Sequence, residues 1–111
     1  MTVHSDEVYI GHIATAIAKI VEWAPTRQAF FEDERTREAV LRKLQTMTES
    51  VQKVSDELKK RYPEVPWRDI ASIRNVLVHD YIGLNLERIW EIIENRLPPL
   101  IEPIARIQKS V

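Results

Sequence analysis

Apolar residues recur along this chain in steps of three and four, which is the spacing of one face of an α-helix. The first such segment ends at Pro25, because proline cannot continue a helix. Ser5 or Asp6 can cap its N-terminus, and we expect the helix to run to about Trp23. Its predicted buried stripe consists of Ile10, Ile13, Ile17, Ile20 and Ala24.

A longer second helix is predicted after a short connector at residues 26–31, which has room for one helical turn. Asp33 is a suitable N-cap, and the periodic pattern extends over about Glu34 to Arg61. The spacing of its apolar residues is typical of a bundle seam. These residues are Val40, Leu44, Met47, Val51, Val54 and Leu58.

Proline and glycine mark the bounds of a third helix. Pro66 suits its first turn, and Gly83 is expected to end it. Its predicted buried side consists of Trp67, Ile70, Ile73, Leu77 and Val78.

Asn85 can cap a fourth helix that Pro98 and Pro99 interrupt. A last helical piece follows, and Pro103 leaves its first residue open, because proline suits a first turn and strains a longer helix. The predicted inward residues of the fourth helix are Leu86, Ile89, Trp90, Ile93 and Leu97. The apolar residues of the last helical piece are Leu100, Ile101, Ile104 and Ile107.

The fold class follows from these patterns. No segment alternates apolar and polar residues as a half-buried strand would, and the chain has only two glycines for tight turns. We therefore predict an all-α protein, a four- to five-helix antiparallel bundle, with residues 1–111 forming a single domain.

Charge and composition exclude several function classes. The net charge of −1 argues against a protein that coats nucleic acid through unspecific phosphate contacts. The absence of cysteine excludes disulfides and thiolate metal sites. Charged residues interrupt the first twenty positions, and no apolar run approaches about eighteen residues, so we expect neither a signal peptide nor a membrane span. We therefore expect a cytoplasmic protein. We also expect no metal site, because His4, His12 and His79 lack metal-ligand spacing, and no other cofactor.

Candidate chemistry is concentrated between Arg74 and Tyr81 (RNVLVHDY). An arginine can bind phosphate oxygens and a histidine can transfer protons near neutral pH, so Arg74 and His79 could cleave a phosphodiester without a metal. Asn75 precedes His79 by four residues and could fix the imidazole tautomer. However, residues five apart on a regular helix point about 140° from each other. The two side chains would converge only through a helix distortion, a curled arginine or a second subunit.

The spacing of an arginine and a histidine is common enough by chance to leave a structural interpretation open. In that interpretation the pair is satisfied by hydrogen bonds or solvated, and Tyr81 packs its ring at the helix end with its hydroxyl in water.

A longer string resembles the HepT-like toxins of the HEPN superfamily, whose signature is R-x-x-x-x-H-x-Y after a proline- and tryptophan-containing turn. The chain has YPEVPW at residues 62–67, then Arg74-Asn75 and His79-Asp80-Tyr81. Residues 37–42 with Leu44 and Glu49 resemble the family's second helix, although residues 47–50 (MTES) replace the usual Ile-Gly-Glu-Ala. Further matching residues are Tyr9, His12, Ile13, Trp90, Leu97 and Pro98.

The resemblance implies a metal-independent endoribonuclease that is the toxin of a toxin–antitoxin pair. Arg74 and His79 would be catalytic, with Asn75 and Asp80 orienting them. The family forms homodimers that bring two motifs to one cleft. Its usual partner is a minimal nucleotidyltransferase antitoxin (MntA-like), which adenylylates the tyrosine that Tyr81 matches. The alternative is a non-catalytic HEPN-type protein that binds substrate or nucleotide for a nucleotidyltransferase.

Overall fold

The regular secondary structure of the described residues is entirely helical. The computed structural model describes the backbone of residues 2–82 and 85–111, and for residues 2–5 and 79–82 it describes the backbone alone. Along these residues the elements are α1 (Thr2–Trp23), α2 (Arg27–Glu32), α3 (Glu34–Lys53), α4 (Asp56–Arg61), α5 (Trp67–Ile82), α6 (Leu86–Glu91), a π-helical turn (Ile92–Arg96) and α7 (Pro98–Ser110).

Helix α3 lies at the centre of the bundle, because it packs against both α1 and α5. Helix α7 packs against α1, and the short α2 contacts α3 and α6. The apolar residues predicted to be buried in the first helix and along the second-helix seam are all buried, so the prediction of an all-α bundle is confirmed. Within the described part of the chain, no helix is long and apolar enough to cross a membrane.

The start of α1 differs from the prediction. The helix begins at Thr2, so neither Ser5 nor Asp6 caps it. Asp6 is almost fully buried, and its carboxylate accepts hydrogen bonds from the backbone N–H and the Oγ hydroxyl of Ser55. The residue type that suits an N-cap therefore serves a contact between distant parts of the chain.

The predicted second helix is two helices. Asp33 caps α3 as expected, accepting hydrogen bonds from the backbone N–H groups of Arg35 and Thr36. The helix ends at Lys53, however, and not at Arg61. Ser55 has an extended backbone and caps α4, its Oγ accepting from the N–H of Leu58. The apolar spacing continues through this break, which is why periodicity alone does not reveal it.

Helix α5 presents a slightly different face to the core from the one predicted. Trp67, Ile70 and Ile73 are buried as expected, but Val78 is 53% exposed and Val76 is buried instead. Residues 70, 73 and 76 follow each other at intervals of three, so the buried face turns away from Val78. Leu77 is half-buried against the core, and Gly83, predicted to end this helix, lies outside the described residues.

Asn85 caps α6 through its side-chain oxygen, as predicted. The two prolines after it do not leave a loop. The N–H of Leu97 donates to the carbonyl of Ile92 across a π-helical turn, and α7 begins at Pro98 itself, where no helical N–H is needed. Pro103 consequently lies inside α7 and not at its start.

Candidate active site

A groove of about 370 Å³ lies between α3 and α5 on the side of the bundle where Arg74 emerges. Arg74, Leu77 and Val78 form its α5 wall. The α3 wall consists of Glu38, Leu41, Arg42, Gln45, Thr48 and Glu49. The groove therefore combines an apolar lining with charged and amide groups, as small-ligand sites commonly do.

Arg74 projects from α5 with an exposed side chain. It makes no hydrogen bond or ion pair with any residue whose side chain is described. Helix α5 holds it on the same face as Val78, as the spacing of four residues predicts. An arginine without a partner among the described side chains can bind an anionic ligand through its planar fork of N–H groups.

The other candidate residues follow Arg74 along α5. Asn75 is exposed beside it. His79, Asp80 and Tyr81 belong to the helical backbone of α5, but their side chains lie outside the described residues. The sequence-based assignment of these three side chains to the site therefore stays a prediction.

The backbone of α5 is a continuous α-helix from Trp67 to Ile82. A helix distortion between Arg74 and His79, which was one of three ways to bring the two side chains together, is therefore absent from this backbone. The Cα–Cβ directions of these residues differ by about 140° on a regular helix. A curled arginine side chain and a second subunit are the two ways that remain.

Sequence reasoning missed the α3 wall as a unit. Glu38, Arg42, Gln45 and Glu49 are spaced by four, three and four residues, so they form one polar stripe along α3. The amide of Gln45 donates to the Glu49 carboxylate at 3.4 Å. The spacing was visible in the sequence, but a polar stripe on a long helix is typical of a solvated face, and only the packing of α5 beside it shows a groove.

Residues 47–50, where the chain departs from the family's small residues, pack closely. Thr48 and Ser50 are both buried. The Thr48 hydroxyl donates to the backbone carbonyl of Gln45 at 2.9 Å, which satisfies it without a partner from another helix. Glu49 faces the groove and makes no ion pair with a described side chain.

Two tryptophans and His12, which the sequence comparison also singled out, have contacts within the bundle. Trp67 is buried and donates from its ring nitrogen to the carbonyl of Tyr62 at 3.0 Å. Trp90 stacks on Phe30 in the core. His12 is exposed and meets the ring of Tyr9 edge-on. Among the described residues, no group of three histidine or acidic side chains could hold a metal ion.

Comparison with known proteins identifies the family. Residues 13–107 match the model of the HepT-like family, described as "Ribonuclease HepT-like". This chain belongs to the HepT-like ribonuclease family. The region of this HepT-like chain that matches the family includes both walls of the groove.

Three relatives of this HepT-like chain show how far the similarity extends. A protein of Thermococcus cleftensis named "Probable ribonuclease HepT" is 33% identical over 110 residues, covering 96% of each chain. Two others share the name "Putative RNase". The one from Methanocaldococcus jannaschii is 37% identical over 86 residues, covering 78% of this chain and 71% of the other. The one from Caldanaerobacter subterraneus is 30% identical over 101 residues, covering 89% and 90%. No solved structure matches this chain.

Proposed function

We propose that this chain is a metal-independent endoribonuclease whose active site is built on Arg74 and His79. The observation that carries the proposal is the state of Arg74, an exposed guanidinium that lines a groove and has no partner among the described side chains. The ribonuclease family supplies the substrate class. A phosphodiester is an anion that such a guanidinium binds well.

In the proposed reaction the 2′-hydroxyl of one nucleotide attacks the phosphorus atom that follows it. His79 accepts the hydroxyl proton as general base, and the imidazolium that forms then acts as general acid and donates that proton to the departing 5′-oxygen. Arg74 stabilises the charge that develops on the non-bridging oxygens. Asn75 and Asp80 orient these groups. The products are a 2′,3′-cyclic phosphate and a 5′-hydroxyl, and no metal takes part.

A second copy of the chain completes the site in this proposal. Because α5 is a regular helix, Arg74 and His79 of one copy diverge, and a homodimer could bring the arginine of one motif toward the histidine of the other. Val78 supports this arrangement, since it is an exposed apolar side chain beside Arg74 on the same groove.

The biological role that we propose is that of a cytoplasmic toxin held inactive by a minimal nucleotidyltransferase antitoxin. The antitoxin would transfer AMP from ATP to the Tyr81 hydroxyl, releasing pyrophosphate. Tyr81 follows His79 by two residues, so the added phosphate would lie close to the active site. It could pair with Arg74 and occupy the place of the scissile phosphate.

The experiment that tests the function is incubation of the purified chain with transfer RNA and messenger RNA in the presence of EDTA, beside the His79→Ala variant. We expect cleavage by the unmodified chain and almost none by the variant. RNA that stays intact with both proteins would contradict the proposal and favour the non-catalytic partner of a nucleotidyltransferase. Growth arrest on expression of the chain alone is expected of the toxin and not of that partner.

A further inference from the structure

The groove beside Arg74 contains a second arginine for which the proposed reaction has no role. Arg42 projects from α3 into the groove, opposite the α5 wall from which Arg74 projects. Its side chain is exposed. Like Arg74, it makes no side-chain hydrogen bond or ion pair with a residue whose side chain is described.

The lack of an ion pair at Arg42 is informative because carboxylates are close along the helix. Glu38 precedes it by four residues and Glu49 follows it by seven, both on the same polar stripe. Opposite charges at i,i+4 lie side by side on a helix surface and can form an ion pair. Arg106 and Glu102 form such a pair at 3.7 Å. Arg42 has the same spacing to Glu38 but forms no ion pair with it or with another described side chain, so no described carboxylate binds its guanidinium.

The groove also has a surface against which a nucleobase could pack. Leu41 and Leu77 supply apolar side chains, and the amide of Gln45 lies on the α3 wall between Arg42 and Glu49. The volume of about 370 Å³ is near the lower end of the range of about 300–1,000 Å³ for small-ligand pockets. That size suits a single nucleotide unit and not a duplex.

We propose that Arg42 binds the RNA phosphate adjacent to the scissile one, with the intervening nucleotide in the groove. The inference rests on the proposed function, because it takes Arg74 as the residue that binds the scissile phosphate. Two guanidiniums on opposite walls then bind successive phosphates of one strand. Arg42 sets the register of the strand relative to Arg74 and stabilises substrate and transition state equally, so its contribution falls on substrate binding.

The test compares Arg42→Gln and Arg42→Lys with the matched control Arg68→Gln in the full chain. Arg68 is also an exposed arginine, but it lies near the start of α5 beside a different pocket. The substrate is a short dye-labelled single-stranded RNA. For Arg42→Gln we expect KM to rise about tenfold, the size of one lost charge-assisted contact, with kcat changed less than about twofold.

The salt dependence of binding, measured by fluorescence anisotropy, provides a second readout. The slope of log K against log salt is negative, and loss of one phosphate contact reduces its magnitude by about 0.7 for a single strand. Arg42→Lys keeps the charge and is expected to retain most of the affinity and the full slope. Arg68→Gln is expected to match the wild type in KM and in slope.

The possible results distinguish a failure of the inference about Arg42 from a failure of the proposed function. Wild-type KM and slope in Arg42→Gln, with RNA still cleaved, would overturn the role of Arg42 and leave the active site intact. A fall in kcat with unchanged KM would also overturn it, because Arg42 would then act on the transition state. If light scattering showed that Arg42→Gln no longer assembles, the role of Arg42 in RNA binding would be overturned and Arg42 would be assigned to the subunit contact. Failure of the wild type to cleave RNA would overturn both proposals.

Discussion

The carboxylate of Asp6 on α1 accepts two hydrogen bonds from Ser55, one from its backbone N–H at 2.8 Å and one from its Oγ hydroxyl at 2.6 Å. The same Oγ accepts from the N–H of Leu58 at 3.1 Å and so caps α4. A buried side chain of the first helix therefore holds the junction between α3 and α4. Asp6 itself is only 6% exposed, so water could not readily replace these hydrogen bonds if they were lost.

We expect Asp6→Asn to lower the free energy of unfolding by about 1–3 kcal/mol. Charge-assisted hydrogen bonds to a buried carboxylate contribute about that much, and an amide cannot accept both of Ser55's bonds equally well. Urea denaturation measures the change. The control is Glu7→Gln, an exposed neighbour on the same helix. Equal stabilities of the two variants would show that the Asp6–Ser55 contact contributes little.

An exposed ion pair links α2 to α6. Arg27 hydrogen-bonds the Glu87 carboxylate and thereby lowers the pKa of Glu87 below its ordinary value. In Arg27→Gln we expect that pKa to return toward the ordinary value, measured by NMR titration of the carboxyl carbon, with Arg35→Gln as control. Because the folded pKa is depressed, any stabilisation by the pair is present at neutral pH and is lost as the pH falls through the folded pKa. An unchanged Glu87 pKa would exclude the pair in solution.

Val78 provides a test of the proposed homodimer. It is a 53% exposed valine beside Arg74, and a carboxylate in its place should not fit an apolar subunit contact. We expect Val78→Glu to be monomeric by light scattering at micromolar concentration and to lose RNA cleavage in parallel. Ile101→Glu, at a similarly exposed position on α7, should remain dimeric. A wild-type chain that is itself monomeric would contradict the proposed two-subunit site.

Tyr81 is expected to be the site of regulatory modification. After incubation with a partner minimal nucleotidyltransferase and ATP, mass spectrometry should detect one or more AMP units on Tyr81, with cleavage lost in proportion. Tyr81→Phe should resist both effects. An unmodified Tyr81, or a fully adenylylated chain that still cleaves RNA, would exclude this mode of inhibition.

Sequence periodicity predicted the bundle because burial imposes it on every long helix. Periodicity failed where a helix cap or a contact with another helix decides where a helix ends or which of its faces is buried. The seam residues Val54 and Leu58 remain in register across the break at Ser55, so the end of α3 depends on a cap and on Asp6, neither of which affects the apolar spacing. On α5, a rotation of the buried face by a fraction of a turn exchanges Val76 for Val78.

The candidate site was predictable only in part for a related reason. Arg74 stands out through the residues that follow it in the sequence, whereas Arg42 occurs in a polar stripe like that of any solvated helix. What distinguishes Arg42 is the neighbouring α5 and the absence of an ion pair with a described side chain, and both are properties of packing. A motif within one helix can be recognised from the sequence, whereas the residues of a groove between two helices can be recognised only once the packing of both helices is known.

The most direct test of the central claim is the rate of RNA cleavage in EDTA by the wild type, Arg74→Ala, His79→Ala and the surface control Arg68→Ala. Loss of a charge stabiliser or a proton shuttle should reduce the rate on the order of 10²-fold or more. Arg74 is exposed, so that variant should fold normally, which circular dichroism checks. We expect full activity in EDTA for the wild type and Arg68→Ala, and near-complete loss in the other two. Wild-type rates in Arg74→Ala or His79→Ala, or cleavage that requires a divalent ion, would contradict the account.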